Sequence, residues 1–276
     1  MSIVEANGLS FHVQEMGTGP PVALVHGMFL GNLASWYFSV APVLARDRRV
    51  LMYDQRAHGK SERVTSGFDL GTLTADLEAL ASPFDDGPLD IVGHSYGGLV
   101  ALRHALDHPE RTGRLVVVEA PVPPQQIEEN RALLSIHPDD MLELMDPQKL
   151  RGAIADAGHD PDELMDRLLP PGMKDGLLSS KRRLRSFFRS LHFLLTETTL
   201  CEDVKAEPDF SAAELASIRC PVLCIYGETS SCRPSGDRLV EALPDARLEV
   251  MGCGHYLLGE RPLELAGIIH DFLGSS

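Results

Sequence analysis

The residues most able to do chemistry lie at Gly93-His94-Ser95-Tyr96-Gly97. They follow the apolar run Leu89-Asp90-Ile91-Val92 and precede a helix-like stretch from Gly98 to Leu106. This is G-x-S-x-G between a strand and a helix, the setting of a nucleophile elbow. A serine at the tip of so sharp a turn sits in strained backbone, and side chains two residues either side would collide. The turn lifts Oγ clear of the sheet, and the helix start behind it favours developing negative charge. A plain βα turn with Ser95 as helix cap is the alternative reading.

A serine nucleophile needs a base, and the last strand-like segment, Leu248 to Met251, runs into Gly252-Cys253-Gly254-His255. A glycine-flanked histidine after the last strand and before a final helix (Pro262 to Phe272) can reach back to Ser95, so His255 is the candidate base. His94 is expected to pack below the elbow. His26 and His58 fall in loops at the same sheet edge, and the remaining histidines have no motif around them. Acyl chemistry also needs two backbone N–H donors for the oxyanion. Tyr96 supplies one. The other is expected from Met28, in the loop His26-Gly27-Met28-Phe29 after the strand Val22 to Val25. Phe29, next in that loop, is a candidate substrate contact.

Four segments in order make the chain similar to the α/β-hydrolases. They are His26-Gly27, Asp54-Gln55-Arg56-Ala57-His58-Gly59-Lys60-Ser61, the elbow, and Gly254-His255 with Glu260-Arg261-Pro262. In the second, Ala57 stands where the family usually has glycine. An Asp54–Arg56 ion pair is expected to brace that loop. The resemblance implies a mostly parallel, doubly wound, eight-stranded sheet with an inserted helical lid. It implies no cofactor and no metal.

The acid departs from the family's common G-x-x-D pattern. After Pro221 to Tyr226 comes Gly227-Glu228-Thr229-Ser230, with serine at the usual aspartate position. Three carboxylates could substitute: Glu228, Asp237 and Glu119. Glu119 ends the apolar run Arg114 to Val118, 24 residues after Ser95. A run this apolar reads as a central parallel strand, and the C-terminal ends of such strands carry the chemistry of α/β proteins. Glu119 is therefore the expected acid, with Glu228 as the alternative. Residues 118–123 and 226–234 also resemble segments of curacin-type polyketide-releasing thioesterases, whose acid is a glutamate at the first of these places.

The elements that must position these residues are readable in outline. Residues 1–16 read as a hairpin turning at Asn7-Gly8, residues 22–119 as alternating strands and helices, and 221–276 as two further strands and two helices. The core is expected over 1–121 and 219–276. Residues 122–218 are expected to form the lid, four or five helices broken at Pro138, Pro147, Pro161, Pro170-Pro171 and Pro208, with Pro123-Pro124 stiffening its entry. Within it, Lys181-Arg182-Arg183-Leu184-Arg185-Ser186-Phe187-Phe188-Arg189 is basic in an acidic chain. Leu184, Phe187, Phe188 and Leu191 suit a core-facing side. Arg182, Arg185 and Arg189 are either a solvated face or a docking patch for a carboxylate, a phosphopantetheine or an acidic carrier protein.

Composition narrows the setting. The chain has 276 residues, 43% of them hydrophobic, and a net charge of −15. That charge argues against nucleic acid and anionic membranes as partners. No signal segment or membrane-length apolar run is visible, so a cytoplasmic location is expected. The five cysteines lack metal-ligand spacing and are expected to be reduced thiols. The expected activity is cleavage of an ester, thioester or lactone through Ser95, His255 and Glu119, in secondary metabolism, with the acyl group free or on CoA or a carrier protein. Two alternatives remain: carbon–carbon hydrolysis by the same parts, and a non-catalytic binding module of the same fold.

Overall fold

The computed structural model describes residues 2–29, 31–84, 87–122 and 181–274, with side-chain surroundings for all but 181–188. Eight strands form one sheet: β1 (Ser2–Ala6), β2 (Leu9–Met16), β3 (Pro21–Val25), β4 (Arg49–Tyr53), β5 (Leu89–His94), β6 (Thr112–Val118), β7 (Val222–Gly227) and β8 (Ala246–Met251). Their order across the sheet is β1-β2-β4-β3-β5-β6-β7-β8. β2 pairs antiparallel with both β1 and β4, and every other pairing is parallel. The hairpin turns at Asn7 and Gly8, both at positive φ (48° and 77°), as a two-residue turn of this hand requires.

Alternation along the strands splits the core between the two faces. On β4, Leu51 and Tyr53 face one cluster while Val50 and Met52 face the other. Helices α3 (Leu70–Ala81) and α4 (Tyr96–Asp107) cover the first face, with Leu73, Leu77 and Leu99 buried there. Helices α1 (Ala34–Tyr37) and α2 (Ala41–Leu44) contribute Trp36 and Leu44 to the second. This is the doubly wound, mostly parallel sheet expected.

Three helices, α5 (Lys181–Thr196), α6 (Leu200–Ala206) and α7 (Ala212–Ser217), precede β7. Pro208 lies between α6 and α7, a break the sequence places there. On α5, Leu191 and Leu194 are buried while Arg189 is exposed. The expected lid breaks at Pro123-Pro124, Pro138, Pro147, Pro161 and Pro170-Pro171 lie outside the described residues, as do the side chains of Arg182 and Arg185. After β7 come α8 (Arg233–Ala242), then after β8 the short α9 (Leu257–Glu260) and α10 (Pro262–Gly274). The last stretch thus holds three helices, because Tyr256 to Glu260 form a turn of their own.

The brace in the loop after β4 differs from the expected Asp54–Arg56 pair. Asp54 accepts the Leu33 N–H (2.8 Å) and Lys60 N–H (2.9 Å) and contacts His12 Nδ1 at 2.7 Å. Arg56 instead donates two hydrogen bonds of 2.7 Å to Asp76 on α3. The short chain separation of Asp54 and Arg56 suggested a local pair, but each is turned toward a different neighbour: a second loop and strand for Asp54, a helix for Arg56. Asp76 is 1% exposed and also accepts a hydrogen bond from Asn7. Asp76→Ala leaves the Arg56 guanidinium buried without its counter-charge. A loss of about 3–5 kcal/mol of folding stability is expected. Urea unfolding measures it, and a loss under about 1 kcal/mol would show that the pair is not a structural brace.

Candidate functional site

Parallel register brings the candidate residues to one level. Val25 pairs with Gly93, His94 with Val118, and Val118 with Ile225. One step further, the Ser95 N–H donates to Val118 O (2.8 Å) and the Glu119 N–H to Ile225 O (3.0 Å). Ser95 and Glu119 therefore leave the carboxyl ends of adjacent central strands side by side, where α/β sheets build their sites. Both have positive φ, 54° at Ser95 and 56° at Glu119. Non-glycine residues pay for that conformation, and such outliers concentrate at functional sites.

The glycines explain how the elbow closes. A Cβ on Gly93 would collide with Gly97 O, and one on Gly97 with Val25 O. The loop after β3 comes equally near: a Cβ on Gly27 would stand 3.0 Å from Ser95 Cβ. Met28 follows in that loop and Tyr96 follows Ser95. Among the described residues neither backbone N–H has a protein acceptor. Two free donors flanking a serine hydroxyl can hold an oxyanion. Phe29, at φ 63°, is half-buried beside them.

The loop is clamped from behind by His26. Its Nδ1–H donates to Gly27 O (2.7 Å), and its Nε2 accepts the Gln55 N–H (2.9 Å). Burial, aided by nearby His58, pushes the His26 pKa down to about 4. It is a neutral bracket between the loops after β3 and β4. His94 packs edge-on to Trp36 and lies 5.3 Å, ring to ring, from His255. Burial, with His255 nearby, lowers its pKa to about 3, so it too stays neutral.

His255 sits in the loop between β8 and α9, which approaches β7 closely because a Cβ on Gly227 would strike Cys253 O and Gly254 O. Its Nδ1 lies 2.9 Å from Glu119 Oε2. Glu119 is fully buried and accepts further hydrogen bonds from the Gly227 N–H and the Ser230 hydroxyl. The carboxylate is thus fixed on both oxygens. Burial drives the His255 pKa down, but hydrogen bonds and charge from Cys232 and Glu119 outweigh it and hold the ring above its usual value.

The rival carboxylates do not join this cluster. Glu228 is exposed, and Asp237 is paired with Arg233 at 2.7 Å on the surface of α8. Sequence reasoning missed Ser230 as a partner of Glu119 and Cys232 as a neighbour of His255. Both lie just before α8, in the segment that the sequence marks by Glu228, by the serine at the usual aspartate position and by the likeness over residues 226–234. Arg189 is exposed on α5. All five cysteines are free thiols. Among the described residues no helix is long and apolar enough to cross a membrane.

Comparison with known proteins agrees with this architecture. A family model described as "Alpha/beta hydrolase family" matches residues 22–268. The 2-hydroxy-6-oxononadienedioate/2-hydroxy-6-oxononatrienedioate hydrolase of Cupriavidus pinatubonensis is 27% identical over 280 residues, spanning 96% of this chain and 90% of that protein. The 2-hydroxy-6-oxo-6-phenylhexa-2,4-dienoate hydrolase of Burkholderia cepacia is 26% identical over 289 residues, spanning 99% and 95%. In structure, the enol-lactonase from Burkholderia xenovorans LB400 superposes with a TM-score of 0.73 at 21% identity, covering 99% of this chain and all of that one; at that identity the likeness is one of fold. With its elbow, its sheet order and a match over nearly its whole length, the chain belongs to the alpha/beta hydrolase family and is a hydrolase of that fold.

Proposed function

We propose that this protein hydrolyses a carbon–carbon bond next to a ketone in a small 2-hydroxy-6-oxo dienoate, using Ser95 as nucleophile, His255 as base and Glu119 as acid. The observation that carries the catalytic part is the 2.9 Å contact between His255 Nδ1 and Glu119 on the strand beside Ser95. The substrate class is supported by the relatives. A 2-hydroxy-6-oxo dienoate contains no ester or amide, so a hydrolase named for it must break a carbon–carbon bond. In this reading Ser95 Oγ attacks the C6 ketone as His255 Nε2 takes its proton. The Met28 and Tyr96 N–H groups receive the oxyanion. The C5–C6 bond breaks as the tetrahedral intermediate collapses. Before cleavage the C2 enol becomes a ketone as C5 gains a proton, so the electron pair left on C5 delocalises through C3=C4 onto the C2 oxygen, which takes the proton from His255. Water, deprotonated by His255, then releases the acyl group from Ser95.

A carboxylate-bearing substrate would also give the basic run on α5 a partner in Arg182, Arg185 and Arg189. A second reading keeps the ester or thioester substrate, free or on CoA or a carrier protein. The position of Glu119 favours it, since that is where the likeness to curacin-type thioesterases puts the acid. A substrate panel separates the two: 2-hydroxy-6-oxo-6-phenylhexa-2,4-dienoate, p-nitrophenyl butyrate and butyryl-CoA. The dienoate should show the highest kcat/KM. Turnover of an ester or thioester with no turnover of the dienoate would overturn the carbon–carbon reading and leave the triad intact.

The same site predicts a pH profile. Only neutral His255 can accept the Ser95 proton, and its pKa is held above the usual imidazole value by Cys232 and Glu119. The acid limb of kcat/KM should therefore inflect above about pH 6.5, with activity rising as pH increases. Glu119→Gln removes a charge that favours the cation, so the limb should move to lower pH. A limb at or below the usual value in the wild type would contradict this environment for His255.

A further inference from the structure

Cys232 takes no part in the proposed reaction, yet it is buried at 5% exposure against the two residues that matter most to it. Its sulfur stands beside a ring nitrogen of His255, and the Cys232 N–H donates to Ser230 Oγ (3.1 Å), the hydroxyl that also holds Glu119. Cys232 caps the start of α8, so its backbone is fixed. The sulfur of Cys232, a carboxylate oxygen of Glu119 and a ring nitrogen of His255 all lie within 4.8 Å of one another.

The geometry points to a binding site for a thiophilic divalent metal, zinc above all, formed by Cys232 Sγ, Glu119 Oε2 and His255 Nδ1, whose occupation switches the hydrolase off. Zinc bonds of about 2.0–2.3 Å in a tetrahedron put neighbouring ligand atoms about 3.3–3.8 Å apart, so small side-chain shifts bring this trio onto one ion. The mixed sulfur, nitrogen and oxygen set suits zinc or cobalt and disfavours magnesium and calcium, which take oxygen ligands. A thiolate and a carboxylate neutralise the dication in a site where bare charge is expensive. The ion can enter from the His255 side, where that side chain is 18% exposed.

Binding is a ligand exchange with a simple proton balance. Cys232 binds the metal as its thiolate, any proton on the sulfur leaving to solvent as the S–metal bond forms. The neutral ring's single proton passes by way of solvent from Nδ1 to Nε2 as Nδ1 bonds the metal, so the ring stays neutral. Nε2 then faces Ser95 as a donor and has no lone pair for the serine proton. The hydrogen bond from Nδ1 to Glu119 is replaced by a shared ion. Zinc thus locks the tautomer that a general base at this place cannot use. The inhibition rests on the proposed role of His255, whereas the binding does not.

Cobalt(II) titration followed by absorbance tests the site without reference to turnover. The wild type should develop a near-ultraviolet thiolate-to-cobalt band and tetrahedral d–d bands in the visible, both abolished by added zinc. Cys232→Ser should lose the thiolate band, and His255→Ala should weaken binding at least about tenfold, the scale on which even an outer-shell partner's loss weakens a metal site. Circular dichroism establishes that each variant is folded, and two variants at separate ligands keep the test decisive if one is not. Cys201→Ser, on α6 and outside the trio, should bind as the wild type does. Absence of the band in the wild type, or its persistence in Cys232→Ser, would overturn the proposal. A wild type that shows the band and loses turnover at the same metal concentration supports both site and mechanism. One that shows the band and keeps full turnover supports the metal site and instead overturns His255 as the base.

Discussion

Ser95→Ala should lower turnover by about five to six orders of magnitude, the scale of a lost nucleophile in other serine hydrolases. The loss should fall on kcat, because the hydroxyl acts in bond formation and contributes little to holding substrate. Folding should be preserved. Alanine fits the elbow's space, since the neighbouring constraint is on Gly27, Gly93 and Gly97, and it retains the backbone hydrogen bonds to Val118 and Gly98. The variant keeps the backbone φ of 54°, so it should unfold in urea as one cooperative transition like the wild type. Steady-state kinetics on the dienoate and the esters measure the loss. Activity within tenfold of the wild type would remove Ser95 from the mechanism.

Glu119→Gln should lower kcat by about a thousandfold or more, as loss of the triad acid does elsewhere. The carboxylate accepts from the Gly227 N–H and the Ser230 hydroxyl while meeting His255 Nδ1. An amide fills the same volume but can turn its NH2 toward Nδ1. The ring would then accept there, with its proton on Nε2 facing Ser95. It also loses the charge that stabilises the imidazolium formed as Ser95 attacks. Glu228→Gln, on an exposed side chain, should cost less than about tenfold, since it changes only a solvated charge. If the two variants behave alike, Glu119 is a structural carboxylate.

What the sequence makes legible follows from how local each feature is. The hairpin at Asn7-Gly8 and the turn around Ser95 need residues a few positions apart, and glycine spacing marks both. Glu119 was legible as a carboxylate ending an apolar strand because a central parallel strand offers it no water. The contacts around it were not. Gly227 and Ser230 lie more than 100 positions away in the chain, and only sheet order makes them neighbours. The same applies to Asp54 and Arg56: two residues apart, they suggested each other, yet each answers to a partner brought in by a different loop or helix. Cys232 gave no signal, because a single cysteine at a helix start has no spacing to read. The basic run on α5 stays ambiguous for a related reason. Helical spacing sorts Arg189 from Leu191 by exposure, but a charge on an exposed face says nothing of what it meets.

In the proposed mechanism one serine, Ser95, is made nucleophilic by His255 and Glu119. The most direct measurement is peptide mass mapping after reaction with a fluorophosphonate, which phosphonylates only an activated serine. A single adduct on the peptide carrying Ser95, formed much more slowly in Glu119→Gln and absent in Ser95→Ala, is the predicted result. An adduct on a different residue, or no adduct on the folded wild-type protein, would contradict it.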